Sequence, residues 1–205
     1  MGRVTTRIQR RNRKIILEAA LDVFSAHGFR GATLDQIAER AGLSKPNLLY
    51  YFDGKEAIHH ALLTNLLDTW LDPLRALNPE GDPQTELLEY MRRKLQMAHE
   101  FPRESRLFAN EIIQGAPRIE GFIRHDLKAL VDEKARLIDH WVHHGRIAPV
   151  DPYHLIFSIW ALTQHYADFD AQIRMIRGDH TVPVEGAEPF LTTLFLRLLS
   201  PKPTD

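Results

Sequence analysis

Apolar residues recur along this chain every three or four positions, the spacing that gathers them on one face of a helix, and glycines and prolines fall between the runs. Ile15, Ile16, Ala19, Ala20, Val23 and Phe24 form one such face, which Gly28 ends just before Phe29. Thr33 and Gln36 stand at capping-box spacing, so a short helix opens near Leu34. Leu34, Ile37 and Ala38 give it an inner face, and Ala41-Gly42 closes it, because glycine takes the left-handed conformation of a helix end. Small Ala38, Ala41 and Gly42 also let a second helix cross closely. That helix opens at Ser44-Lys45-Pro46, since serine caps well and proline is tolerated in a first turn. Leu48 and Phe52 share its inner face, leaving Lys45, Asn47, Tyr50 and Tyr51 to face elsewhere. Asp53 and Glu56 repeat the cap spacing and start the next helix, with Lys55 at its amino end.

Beyond this point the period persists. Ile58, Leu62, Leu66, Trp70 and Leu74 recur every fourth residue and predict one long connecting helix. Pro79, Gly81 and Pro83 mark a turn, Glu86–Glu100 and Ser105–Gln114 read as helices around Phe101-Pro102, and Gly115-Ala116-Pro117 is another break. A further helical region runs to about His144, where Gly145 stops it. Leu155–Leu162 is apolar nearly all round, so a helix there needs burial on two sides, with a partner subunit as the natural second cover and a helix buried within a monomer as the alternative. Glu188–Leu199, rich in Phe190, Leu191, Leu194, Phe195 and Leu198, could complete a bundle with its symmetry mate. No β-alternation, internal repeat or low-complexity segment competes, so the fold class is all-α.

Composition narrows the setting. The 205 residues carry a formal net charge of −1, which argues against a uniformly basic nucleic-acid binder, yet the charge is lopsided. Residues 1–55 hold ten Lys or Arg against five Asp or Glu, a balance of +5 that leaves −6 for the remainder. Arg3, Arg7, Arg10, Arg11, Arg13 and Lys14 make an acid-free basic arm suited to phosphate contact and expected to be mobile when free. The absence of cysteine removes disulfide and thiolate chemistry and fits a reducing cytoplasm. With no apolar signal segment at the start and no run approaching about 18 apolar residues, secretion and membrane spanning are not expected.

Two short helices joined by a tight turn, on the basic side of the chain, form a helix-turn-helix over residues 33–52. Two helical turns are about 10 Å long and suit a major groove about 12 Å wide. The segment AGLSKPNLLYYFDGKE resembles the reading unit of TetR-type regulators, whose turn has the form A-G-V-S-x-x-x-L-Y-x-Y-F followed by x-x-K-E. That resemblance implies an all-helical homodimer of about nine helices per subunit. A DNA-binding domain over residues 8–55 would be followed by an effector-binding and dimerisation domain over 56–205. It also implies site residues. Thr33 would meet phosphate, Ser44, Lys45, Pro46, Asn47, Tyr50 and Tyr51 would present the groove-facing surface, and Lys55 would grip the backbone. Leu49 stands where many members have tyrosine, so the choice of Tyr50 or Tyr51 as phosphate contact stays open, packing against the first helix being the alternative for each. Dimers of this kind reach palindromic half-sites about 34 Å apart.

The input to such a switch has its own pattern. Trp160, Gln164 and Asp168 stand at i, i+4 and i+8 and share a helix face. A glutamine amide offers both an acceptor and a donor, complementary to the neighbouring N–H and C=O of an imide edge, and an indole offers a flat surface. SRLFANEIIQGAP, DLKALVDEKARLIDHWVHHGRIAPVDP and HLIFSIWALTQHYADF resemble the pyrimidine-utilisation regulators within the family, a likeness that covers most of residues 13–172. It implies uracil or thymine as effector, Trp70, Trp160 and Gln164 as pocket positions, and a repressor released from operator DNA by that ligand. Core packing is the alternative for both tryptophans, and a different small-molecule effector is the alternative for the ligand. His140, His143 and His144 could suggest a metal sensor, but they lack the glutamate of H-E-x-x-H and read as solvated histidines near a helix end. His165 with Asp168 comes with no nucleophile motif or phosphate-cradling glycine loop, so neither an enzyme nor a resident cofactor or metal is expected. A helical scaffold without DNA binding is the third class.

Overall fold

The computed structural model describes residues 7–178 and 180–201, and all of the regular structure among them is helical. In chain order the helices are α1 (Arg7–Gly31), α2 (Leu34–Arg40), α3 (Lys45–Tyr51), α4 (Lys55–Arg75), α5 (Pro83–Glu100), α6 (Pro102–Ile113), α7 (Glu120–Phe122), α8 (Lys128–His143), α9 (Pro152–Asp168), α10 (Asp170–Arg177) and α11 (Ala187–Leu199). A π-turn, Ile123–Leu127, joins α7 to α8 without a break. This π-turn and α10 were not foreseen. The first falls inside a continuous helical pattern, and the second has its apolar residues Ile173, Met175 and Ile176 too closely spaced to mark a buried stripe.

Two compact units result. One comprises the chain up to Thr69 together with Arg106–Glu120, the other Trp70–Ser105 with Gly121 onward. In the first unit most of the inner faces predicted for α1 to α4 is buried, with Ile16, Ala20, Phe24, Ile37, Leu48 and Ile58 all sealed from solvent, whereas Ile15 is exposed and Leu62 half-buried. Gly28 breaks α1 as its position implied, with φ of 64° inside the helix, and Phe29 turns back onto Phe24. The Thr33–Gln36 capping box is complete: Gln36 N–H donates to the threonine hydroxyl at 3.2 Å and Thr33 N–H to the glutamine carbonyl at 2.8 Å. At the other end of α2, Leu43 N–H reaches Ala38 O at 2.9 Å and Gly42 N–H reaches Glu39 O at 3.0 Å. This is the Schellman closure that a left-handed Gly42 permits. Ser44 then caps α3 through Asn47 N–H. Both helices of the turn therefore have fixed ends.

In the second unit, α5, α8, α9 and α11 enclose a core that includes Leu87, Met91, Ile138, Trp141, Ile156, Ile159, Leu191 and Phe195. Asp82 and Asp151 cap α5 and α9 through Thr85 and His154 N–H groups, so both helices begin at the proline that follows each aspartate. The start of α5 at Pro83 and of α6 at Pro102 extends each a turn ahead of the predicted Glu86 and Ser105, because proline serves as a first-turn residue in both. Among the described residues no helix is long and apolar enough to cross a membrane.

Candidate DNA-reading and effector sites

The outer face of α3 is polar because its one sealed side chain, Leu48, takes the whole inner side of a two-turn helix. Ser44, Lys45, Pro46, Asn47 and Tyr50 are exposed, as is Thr33 at the start of α2. Lys45 pairs with Asp35 at 2.9 Å, and both side chains are open to water, so the pair holds weakly and leaves the ammonium available to a stronger anion. The two tyrosines separate. The Tyr51 hydroxyl accepts a hydrogen bond from Asn12 Nδ2 at 2.7 Å, its carbonyl accepts one from Arg13 at 2.7 Å, and Arg13 lies 4.1 Å from the centre of the Phe52 ring. Tyr51 is thus packed onto α1, whereas Tyr50 is 63% exposed.

One expectation about the basic groups changes, and another group gains an internal contact. The run expected as a mobile arm is helical from Arg7 onward, because Asn12 and Arg13 tie its turns to α3. Arg7, Arg10, Arg11 and Lys14 are exposed along it, and Arg3 lies outside the described residues. Lys55 has an internal role. Its ammonium donates to Phe29 O and Ala32 O, both at 2.8 Å, and stands 4.4 Å from the Phe29 ring centre. Two of its three donors secure the end of α1.

The first unit also holds a buried polar cluster that the periodicity did not reveal. Glu111, 1% exposed, takes both the backbone N–H of Arg118 at 2.8 Å and its guanidinium at 2.9 Å, and that guanidinium rests 3.4 Å from the centre of the Phe29 ring. His59 is sealed edge-on between Phe24 and Phe29, and burial, countered by Glu111, lowers its pKa from 6.5 to about 4. His59 is therefore neutral at pH 7. The available signal was positional, since Glu111 stands one helical turn after buried Leu107.

In the second unit the residues of the proposed effector face occupy one side of α9, which packs on α5. Trp160 Nε1 donates to the Tyr90 hydroxyl at 2.5 Å, and burial raises the Tyr90 pKa. One turn further along α5, Lys94 is 2% exposed, with its ammonium 4.4 Å from the centre of the Trp70 ring. Burial pulls the Lys94 pKa from 10.5 down to about 7, against the opposing pull of Asp168. Asp168 in turn accepts a hydrogen bond from Ser105 Oγ at 2.6 Å. Gln164, half-buried, stands on α9 midway between Trp160 and Asp168. Trp70 is 4% exposed and its buried indole N–H has no hydrogen-bond partner. Trp70 is met by Lys94, Trp160 by Tyr90 and Asp168 by Ser105, three partners that the helical spacing does not single out. Lys94 had a sign, being a charge at a core position of the Leu87, Met91, Leu95, Ala98 stripe.

The histidine cluster does not assemble as a metal site. His143 Nδ1 lies 2.8 Å from Asp139 O and His144 Nδ1 lies 2.8 Å from His140 O, while the His140 and His144 rings lie 4.0 Å apart and tilted by 40°. Among the described residues no group of histidines, aspartates and glutamates is arranged to hold a metal.

With this geometry in hand, comparison with known proteins is specific. A family model for bacterial regulatory proteins of the tetR family matches residues 16–62, and one for the C-terminal region of YcdC-like proteins matches residues 63–202. The HTH-type transcriptional regulator RutR of Escherichia coli K12 is 52% identical over 166 residues, 81% of this chain and 78% of its own length. This chain belongs to the TetR family of transcriptional regulators. It is a DNA-binding regulator and not an enzyme. Solved structures agree on the fold. AibR in complex with isovaleryl coenzyme A and operator DNA superposes with a TM-score of 0.72 at 19% identity, covering 93% of this chain and all of AibR. The fatty acid degradation regulator FadR of Bacillus halodurans gives 0.65 at 17%, covering 90% of this chain and 94% of FadR. For this TetR-family regulator, α2 and α3 are the helix-turn-helix.

Proposed function

We propose that this regulator is a dimeric repressor of pyrimidine-metabolism genes that leaves palindromic operator DNA when it binds a small planar pyrimidine such as uracil or thymine. The observation that carries this reading is the 52% identity to RutR, which runs through the segments holding Trp70, Trp160 and Gln164. The local chemistry supports it. An indole beside a glutamine amide suits a flat heterocycle with an imide edge. In this reading the domain over residues 8–55 reads DNA, and that over 56–205 binds effector and dimerises. Thr33, Ser44, Lys45, Pro46, Asn47 and Tyr50 face the duplex, Asn47 being suited to a base edge and Lys45 and the last donor of Lys55 to phosphate. Tyr51 serves by fixing α3 to α1. Exposed Phe157 on α9 and Phe190, Leu194 and Leu198 on α11 supply an apolar face for a second subunit. Ligand acts by binding the DNA-incompetent shape more tightly, and only that difference in affinity does work.

Calorimetric titration with uracil tests the ligand. The wild type gives saturable heat and Gln164→Ala binds at least tenfold more weakly, with operator release in a gel-shift assay following the same concentrations. No heat from the wild type removes pyrimidines, and an unaltered Gln164→Ala removes the residue.

A further inference from the structure

The second unit holds a further cavity, of about 600 Å³, that no residue of α4 or α5 lines. Its volume is that of a small-molecule site. Ile123 and Leu127 of the π-turn and Val131 of α8 follow one another every fourth residue and form one wall, and Tyr153, Phe157 and Trp160 of α9 form the other. The aromatic wall is continuous, with ring centres 6.5 Å apart from Tyr153 to Phe157 and 5.6 Å apart from Phe157 to Trp160. Tyr153 is 41% and Phe157 46% exposed, so two large rings face water beside buried Val131. Turns of the π type are rare and recur at functional sites. The rim adds charge. Arg124 and Lys128 are exposed there, and Asp132 accepts hydrogen bonds from Lys128 Nζ at 2.5 Å and from the Tyr153 hydroxyl at 3.0 Å. Those two bonds hold the Asp132 carboxyl below the usual carboxylate range, so it is ionised at pH 7. Two cations against one carboxylate leave the rim net positive.

We propose that this groove is a second small-molecule site, for an amphipathic monoanion with a flat aromatic body and a carboxylate. The inference goes beyond the pyrimidine reading and does not depend on it. The rings lie between Leu127 and Phe157, where they cover the exposed aromatic wall, and the carboxylate meets the net positive rim at Lys128. Charge favours this occupant over a second copy of the chain, because the exposed α11 residues Phe190, Leu194 and Leu198 bring no acid to the rim.

The test titrates 1-naphthoate, two fused rings bearing a carboxylate, into the full chain by calorimetry, beside its neutral analogue 1-naphthamide. The wild type binds naphthoate saturably and naphthamide about tenfold more weakly. Lys128→Met brings naphthoate down to the naphthamide level. Leu127→Trp, which fills the groove, weakens both by about tenfold or more, and circular dichroism verifies that each variant folds. Gln164→Ala leaves naphthoate binding unchanged, because Gln164 does not line the groove. Absence of saturable heat from the wild type overturns the site, and equal affinities for naphthoate and naphthamide overturn its preference for an anion. Naphthoate binding that survives Leu127→Trp but falls in Gln164→Ala places the ligand against the other face of α9 and overturns the assignment. A wild type that binds no naphthoate, with a Leu127→Trp chain that sediments as a monomer where the wild type is a dimer, gives the groove to a second copy instead.

Discussion

The reading head and the effector unit solve opposite problems with polar groups. In the head, polar side chains at α2 and α3 cap helix ends, stand in water or, for Tyr51, bind α1, while the buried polar groups of the same unit, His59 and Glu111, lie outside those two helices. In the second unit, Lys94, Tyr90 and Ser105 are carried into the interior, where Tyr90 and Ser105 are bonded by Trp160 and Asp168 and the Lys94 ammonium rests against the Trp70 ring. A surface that must meet a polyanion gains from accessible donors. A pocket that must tell one small ring from another gains from dry ones, whose unmet bonds are costly. The difference also separates what each unit's stability rests on, which the following experiments can break or sharpen.

The largest expected effect comes from Leu48→Ala. Leu48 is fully buried, and removing it opens a cavity under α3 that costs about 2–5 kcal/mol. All three tryptophans, Trp70, Trp141 and Trp160, lie in the effector unit, so their fluorescence follows that unit while far-ultraviolet circular dichroism follows both. In urea, the dichroism midpoint is expected to fall and split away from a fluorescence midpoint that stays in place, and operator binding is lost. If the two transitions move together, the units melt as one and the contrast in their stability has no independent meaning.

A somewhat smaller effect is expected from acid. His59 has a pKa of about 4 in the fold and 6.5 when exposed, so between those values the unfolded chain binds more protons than the folded one. Stability contributed by the neutral, buried ring is therefore whole above pH 6.5 and is lost as pH falls towards 4, by about 3 kcal/mol for a shift of this size. Glu111, Arg118, Lys55 and Glu56 act on the same ring and remain in His59→Leu. The difference between wild type and variant thus isolates the histidine. Urea midpoints at pH 6.5 and 4.5 should diverge, the wild type losing more. Equal losses would place the acid sensitivity of the head in its carboxylates.

How much could be read in the sequence divides along the same line. Thr33–Gln36, Ala41-Gly42 and Ser44-Pro46 act within four residues of one another, so their spacing alone specified α2, the turn and α3, and the structure closes each cap as that spacing implied. Helix faces followed for the same reason. Sites built from tertiary contact were only half legible. Trp160, Gln164 and Asp168 share a helix and were visible together, whereas Lys94 and Ser105 join them from α5 and α6, a placement that no local period encodes. The basic arm was misjudged because charge predicts solvation but not the bonds from Asn12 and Arg13 that make it helix. Lys55 was seen as a cation and not as the clasp on Phe29 O and Ala32 O.

The smallest effect concerns the adjacent tyrosines, which their shared sequence environment could not tell apart. Tyr51→Phe removes the acceptor for Asn12 Nδ2 and strands that amide in a half-buried position, so a loss of about 1 kcal/mol in head stability is expected. Tyr50→Phe removes a hydroxyl that is mainly in water, with Gln9 Nε2 at the long distance of 3.4 Å, and should leave stability within about 0.5 kcal/mol of the wild type. Operator binding should respond the other way. In the proposed DNA-reading role Tyr50→Phe is expected to weaken it a few-fold at constant fold, because its hydroxyl is the more exposed of the two, whereas Tyr51→Phe acts through the seating of α3. Titrating a palindromic operator with each variant, alongside urea midpoints by circular dichroism, separates the two. Should Tyr51→Phe lose more DNA affinity than Tyr50→Phe with no change in its midpoint, Tyr51 must leave Asn12 on binding. The outward tyrosine would then be the spectator.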